Sequence, residues 1–405
     1  MTVRAIHLLQ RVLLVCSYWL YRLLSRHGGK TIAWVVGVDE IASMAFHIAC
    51  AIPNSHSVAL SAHKYYGFRY DTELRPAPSP TLALFTRAVA GPIILGRLLN
   101  KTQGFLYLGA TGFLLADVDQ RSFEFAFLKS KGARIACYFV GDDIRSPRLM
   151  HQLEKNTGLK NVSTYVGQVA EVFETQAYDN RKRAIARVAD RFADVIFTAP
   201  TDQLSYLTRA TERVLYLYPD EEFSSGDNKF TDLSRIVVLH APSSPALKGT
   251  PLVRGAVERL RSDGYEFEYV ELTAASNETV LRELRRAHIV LNQFYAFMPG
   301  IFGIEAMAAR CAVLMSADER IEVTLPAGSN QAWLVTKNDE VYENLKILLD
   351  HPDTIAPLAD RGQQWARQYA AVSRSGPKLR AILESVLDKR DESRRGYRHS
   401  ANETN

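Results

Sequence analysis

The 405-residue sequence predicts an α/β protein built from two Rossmann-like, doubly wound domains that face one another across a cleft. Three observations carry that prediction. With 47% hydrophobic and 23% charged residues, the chain is globular and too long for one ordinary core. Short β-branched runs alternate with longer helical patterns, as parallel βαβ units require. One long polar stretch, residues 219–234, interrupts the alternation in mid-chain, and the pattern then restarts.

Residues 1–29 contain the most apolar run, "RAIHLLQRVLLVCSYWLYRLLSRHGGK". Only ten residues separate Arg11 from Arg22, whereas a membrane span needs roughly 20 apolar residues in a row. At helical spacing Arg4, Arg11, Arg22 and Arg26 fall within about 60° of one another, with His7, Tyr18 and Ser25 beside them. Leu9, Leu13, Trp19, Leu20 and Leu23 occupy the rest of the circumference. This spacing predicts a basic amphipathic helix in a membrane interface beside anionic lipid, the alternative being a surface helix packed on its own domain. No small-x-small site follows the apolar run, which argues against a signal peptide.

Residues 30–218 read as the first domain, with strands at "TIAWVVGV", "SVALSA", "GFLYLGA", "ARIACYFVG" and "DVIFTA" separated by helices. Residues 219–234 read as an interdomain linker. Residues 235–386 form the second domain, with strands at "RIVVLHA", "FEYVELTA", "HIVLNQF" and "CAVLMS" and two closing helical segments. The tail, 387–405, has almost no apolar content and is expected to be disordered.

A net charge of +5 and a pI near 8.9 are spread along the chain without block runs or interleaved aromatics, which argues against nucleic acid as a partner. Cys16, Cys50, Cys137 and Cys311 stand far apart with no C-x-x-C pair, which fits a reducing compartment and a metal-free fold. A cytoplasmic protein is expected, peripheral at the inner face of the plasma membrane if the first helix meets lipid. The N-x-S/T tripeptides at Asn100, Asn161, Asn277 and Asn402 are then chance matches.

Three loops that follow strands carry candidate chemistry. In "HAPSSPALKGT", residues 240–250, small residues such as Ser243 permit close backbone approach and Lys248 supplies a point charge. Gly249 and Thr250 open a helix whose free N–H groups favour anions, so a diphosphate suits the loop. His240 is a candidate phosphate or sugar contact, with a structural role as its alternative. In "MPGIFGIEAMAA", Gly300 and Gly303 let the backbone crowd a ligand, and Glu305, placed in the first turn of a helix, offers two oxygens to a vicinal diol such as a ribose. Together the two loops describe a nucleoside-diphosphate site. In "FVGDDIRSP", Asp142, Asp143 and Arg145 are candidate catalytic groups across the cleft, the alternative being an N-cap with a local salt link. Gly37 ends the first strand in "VGVDEIA" and is a candidate acceptor or diphosphate loop; its lone glycine lacks the G-x-G-x-x-G pattern of a dinucleotide site.

With those residues in place the chain resembles a GT-B glycosyltransferase, of the large retaining group that includes sucrose synthase and bacterial mannosyl- and glucosyltransferases (families 4 and 1). The likeness is most specific from "VVLHAPSSPALKGT" through "AHIVLNQFYAFMPGIFGIEAMAARCAVL" and extends in outline over residues 30–386. The resemblance implies an acceptor-binding first domain and a second domain that binds a nucleotide-sugar as substrate, with no separate cofactor and no metal. By position Lys248 would contact the diphosphate and Glu305 the ribose. "FVGDDIR" resembles the G-S-D-x-R element of a bacterial subgroup tied to surface-polysaccharide assembly, which implies a glycan or glycolipid acceptor. The chain departs from the family at three places: Phe297 stands where many members have a second glutamate, Pro242 where an arginine is usual, and Val140 near an expected histidine. The expected activity is therefore hexosyl transfer from a nucleoside-diphosphate sugar to a membrane-associated or polysaccharide acceptor. The alternatives are a silent scaffold of the same fold in a glycan-assembly complex and a nucleotide-sugar epimerase.

Overall fold

The computed structural model describes residues 3–24, 29–61, 67–74, 79–115, 117–225 and 228–402. The first half contains α1 (Val3–Leu24), β1 (Ile32–Gly37), α2 (Met44–Ala51), β2 (His56–Ala59), β3 (Thr72–Glu73), α3 (Pro80–Leu99), β4 (Thr102–Leu108), α4 (Ser122–Ser130), β5 (Arg134–Tyr138), α5 (Pro147–Thr157), α6 (Val166–Val169), α7 (Gln176–Phe192) and β6 (Val195–Phe197). The second half contains β7 (Val237–His240), α8 (Pro245–Lys248), α9 (Thr250–Ser262), β8 (Glu268–Glu271), α10 (Asn277–Arg286), β9 (Ile289–Leu291), α11 (Gly300–Ala308), β10 (Ala312–Met315), β11 (Leu334–Val335), α12 (Val341–Asp350), α13 (Ile355–Tyr369) and α14 (Val372–Asn402).

Both sheets are parallel, in the orders β3-β2-β1-β4-β5-β6 and β11-β10-β9-β7-β8. Both faces of the central strands are covered, so β1, β7, β9 and β10 are rich in Val, Ile and Leu, and β4 carries the buried Phe105, Leu106, Tyr107 and Leu108. On the first sheet Leu14 of α1, Leu95 of α3, Phe125 of α4 and Ile185 of α7 fill one side, and Met44 and Ile48 of α2 fill the other. On the second, Leu284, Ile304 and Met307 oppose Val253, Leu260 and Leu345. Each strand order reverses once, between β1 and β4 and between β7 and β9, so a crevice opens at each reversal beyond the carboxyl ends of the strands.

α1 packs on its own domain, one of the two arrangements the sequence allows, but not through its apolar side. Its buried side is the polar one, His7, Gln10 and Ser17 with Leu14, laid along α3. Pro92 inside α3 has no N–H, so the Ala88 carbonyl four residues earlier lacks its helical donor. Gln10 Nε2 donates to that carbonyl at 3.0 Å. Ser17 Oγ donates to the Pro92 carbonyl at 3.2 Å, and Gly96 is required opposite it, since a Cβ there would stand 2.1 Å from that hydroxyl. Arg11 does not face outward freely: it pairs with Asp119 at 3.1 Å beside the His7–Asp119 contact at 3.2 Å. Ser25 and Arg26 lie outside the described residues.

The chain crosses between the halves twice. At the crossings Tyr218 and residues 370–372 run side by side, with Tyr218 N–H donating to Ala370 O at 2.7 Å and Val372 N–H to Tyr218 O at 2.9 Å. The polar stretch after the first crossing is docked, not free: Lys229 Nζ reaches the carbonyls of Ala309 at 2.7 Å and Leu284 at 3.0 Å, which stabilises the ends of two helices. After the second crossing α14 leaves the second domain, where the sequence reading puts residues up to 386. It packs Leu379, Leu383 and Val386 against Trp34, Met44 and Ile48 of the first. Helix also continues to Asn402, where composition predicts disorder, as an extension of a helix already nucleated upstream. Residues 403–405 lie outside the described residues.

Candidate functional site

The crevice between β7 and β9 holds a cavity of about 180 Å³ lined by Lys248 and Ser243 from the loop after β7 and by Gly300 and Glu305 from the start of α11. Two sequence positions 57 residues apart thus converge because their strands are neighbours at the reversal point. Leu272, Ala274 and Asn277, after β8, close the outer side.

Local sequence accounts for this shape. Gly249, at φ +82°, ends the short α8 and starts α9, a left-handed position that favours glycine. Gly300, at φ +67°, begins α11 three residues before the sequence expectation. Glu305 accordingly lies in the second turn, not the first. It projects from the side of the helix into the cavity, and an ordinary helix-dipole role loses its basis.

Both charged groups rest on neutral partners. Lys248 Nζ donates to the side-chain oxygen of Gln293, and burial lowers its pKa to about 8, with Asp202 opposing the drop and Arg145 adding to it. Glu305 accepts one bond from Asn277 Nδ2 at 2.9 Å, and burial pushes its carboxyl up to about 7. The cavity therefore presents an ammonium, a carboxylate and the N–H groups opening α11, a set suited to a diphosphate joined to a diol.

The remaining candidates stand behind or away from the cavity. His240 is fully buried, with Nδ1 against Leu291 O at 2.7 Å and Nε2 against Thr250 Oγ1 at 2.9 Å. Both its nitrogens and the Thr250 hydroxyl are thus spent on bracing the loop. Gly303 is needed because a Cβ would lie 2.6 Å from Asn292 Nδ2, which ties the following loop through Pro299 O at 2.7 Å. Gly37 is needed because a Cβ would lie 2.3 Å from Val58 O on β2, a strand-packing reason that involves no ligand.

The loop after β5 is likewise absent from the cavity lining. Asp142 is held by Tyr178 and Lys182. Asp143 accepts the Val140 N–H at 2.7 Å, and burial raises its carboxyl to about 6. Arg145 forms a buried ion pair with Asp202 at 2.6 Å. Asp202 in turn accepts the N–H of Phe297 at 2.7 Å, and Glu322 accepts the N–H groups of Thr201 and Asp202, so this cluster joins the two domains. Phe297, where the resemblance implies a second glutamate, is a buried ring whose main-chain N–H is an interdomain tie.

Sequence reasoning missed Asn277, Gln293 and Asp202. Gln293 had a usable signal, an amide at the carboxyl end of an apolar strand; the other two had none. Among the described residues no group of three or more His, Cys, Asp or Glu is placed to hold a metal ion.

No protein-family model and no curated protein matches the sequence. Solved structures do match in shape. Sucrose-phosphate synthase from Thermosynechococcus elongatus superimposes with a TM-score of 0.58 at 11% identity, covering 90% of this chain and 100% of that one. WaaG, a glycosyltransferase involved in lipopolysaccharide biosynthesis, gives 0.55 at 12% identity, covering 87% and 99%. An alpha-glucosyltransferase in complex with UDP-glucose and DNA containing an abasic site gives 0.52 at 11%, covering 88% and 100%. Two parallel, doubly wound domains, a cavity at the second reversal point and these superpositions lead to one structural conclusion: the chain has the GT-B fold.

Proposed function

We propose that this protein is a glycosyltransferase that moves a hexose, with retention, from a nucleoside-diphosphate sugar to a membrane-associated or polysaccharide acceptor in the cytoplasm. The observation that carries the proposal is the meeting of Lys248 and Glu305 in one cavity beside the opening of α11. As the bond between the anomeric carbon and the diphosphate oxygen breaks, negative charge gathers on the leaving phosphate. Lys248 and the N–H groups of residues 300–302 stabilise that charge, whereas Gly249 N–H is already given to Pro245 O and neither Gly249 nor Thr250 lines the cavity. The acceptor hydroxyl attacks from the same face and its proton passes to the departing phosphate oxygen, so no protein base is needed. Glu305 holds the ribose diol, which keeps its carboxylate away from the phosphates. Closure of the domains about the paired crossings excludes water, protecting the donor from hydrolysis.

The test is calorimetric titration and thermal shift with UDP, GDP, ADP and their monophosphates. One diphosphate is expected to bind, and Lys248→Ala to weaken it about a hundredfold, a cost in the range for a charge-assisted contact with an anion. The monophosphate should bind Lys248→Ala and wild type more nearly alike. Absence of binding by any nucleotide would sink the proposal and leave the scaffold reading; turnover of the donor without transfer to any acceptor would favour the epimerase.

A further inference from the structure

We propose that α1 and α3 together form a docking surface for an anionic phospholipid bilayer, with α1 lying in the plane of the interface; this is independent of the donor site. The polar row of α1 is consumed by the domain: His7 meets Asp119, Gln10 and Ser17 bond to main-chain carbonyls of α3, and Asn100 Nδ2 donates to Tyr18 O at 3.0 Å. What remains outward is a row of apolar side chains flanked by two arginines. Leu8 is 63% exposed, Trp19 52% and Leu23 71%, with Leu9, Val12 and Leu20 in the same row. An ordinary surface helix has the opposite arrangement. Gln10 meets Ala88 and Tyr18 meets Asn100, so the two helices run parallel, and the beginning of α3 adds exposed Leu82, Leu84 and Phe85 (67%) at the end where α1 begins.

Charge selects the occupant. Arg4 and Arg22 stand exposed on α1, no carboxylate precedes Asp39 in the chain, and α3 has none. A second copy of this face would bring arginine against arginine. An acidic polypeptide would answer the arginines and leave the leucine row wet. A bilayer with anionic headgroups satisfies both, receiving aliphatic side chains below the level of its phosphates. The 22 residues of α1 extend about 33 Å. Although α1 is long and apolar enough to span, its hydrogen bonds to α3 along that length hold it flat against the domain.

The experiment is flotation of the full-length protein with vesicles of phosphatidylcholine, with or without phosphatidylglycerol. The protein is expected to float with the mixed vesicles and much less with phosphatidylcholine alone. Leu20→Glu/Leu23→Glu should reduce flotation roughly tenfold or more while leaving the melting temperature and nucleotide titration unchanged. Val323→Glu, at an exposed position elsewhere, should float normally. Arg4→Glu/Arg22→Glu should erase the preference for phosphatidylglycerol. The proposal is overturned if wild type ignores the mixed vesicles, if the leucine variant floats as well as wild type, or if light scattering shows that the leucine face instead holds a dimer that the same variant dissolves.

Discussion

At the carboxyl end of the first sheet three pairs of charged side chains answer one another, whereas at the second sheet the two charged groups that line the cavity have no such partner. Asp142 has Lys182, Arg145 has Asp202, and Asp39 has Arg87. Lys248 and Glu305 have only the amides of Gln293 and Asn277. An arriving anion or diol can displace an amide without breaking an ion pair, and the displaced amide can turn to another partner. The contrast teaches how to tell a braced crevice from a receptive one: both are rich in charge, but at the second both charged side chains that line the cavity rest on exchangeable neutral amides.

The comparison can be broken most forcefully from the braced side. Arg145→Ala strands Asp202 in the domain interface and is expected to cost about 3–5 kcal/mol of stability, measured by urea unfolding. A loss below about 1 kcal/mol would mean that the loop after β5 is not structural and remains available for chemistry. Glu305→Gln probes the receptive side and should weaken nucleotide binding about tenfold, as expected for one charge-assisted bond, while stabilising the empty protein. The sign follows from the raised carboxyl: folding favours its neutral form, so wild type loses stability as pH climbs from the ordinary value of 4.5 to about 7. The variant should escape that loss, worth up to roughly 3 kcal/mol, with no further gain at higher pH. The smallest effect is in the pH profile of affinity. Binding needs Glu305 ionised and Lys248 protonated, so the affinity of wild type should peak between about 7 and about 8 and fall on either side. Glu305→Gln should flatten the acid limb only.

Much of this was legible in the residues themselves. Short apolar runs, rich in Val and Ile at β1 and β7 and in Phe, Tyr and Leu at β4, located the central strands because buried parallel strands admit few polar residues, and the pairing of the loop that carries Lys248 with a later glutamate located the cavity. Partners brought in from afar were not legible. Arg145 and Asp202 are separated by 57 residues, and nothing about either names the other. The spacing of α1 revealed an amphipathic helix but not which side the domain takes, because the deciding fact is a carbonyl freed by Pro92 on another helix. The row of Leu379, Leu383 and Val386 announced a helix with an apolar side without indicating which core it completes.

That last row has a consequence for the order of assembly. The half that leaves the ribosome first exposes the flank of Trp34, Met44 and Ile48 until α14 arrives, after the whole of the other half has been made. The first of the two halves is therefore finished after the second, and a chain interrupted near Ala371 would carry the second half joined to an unsealed first one.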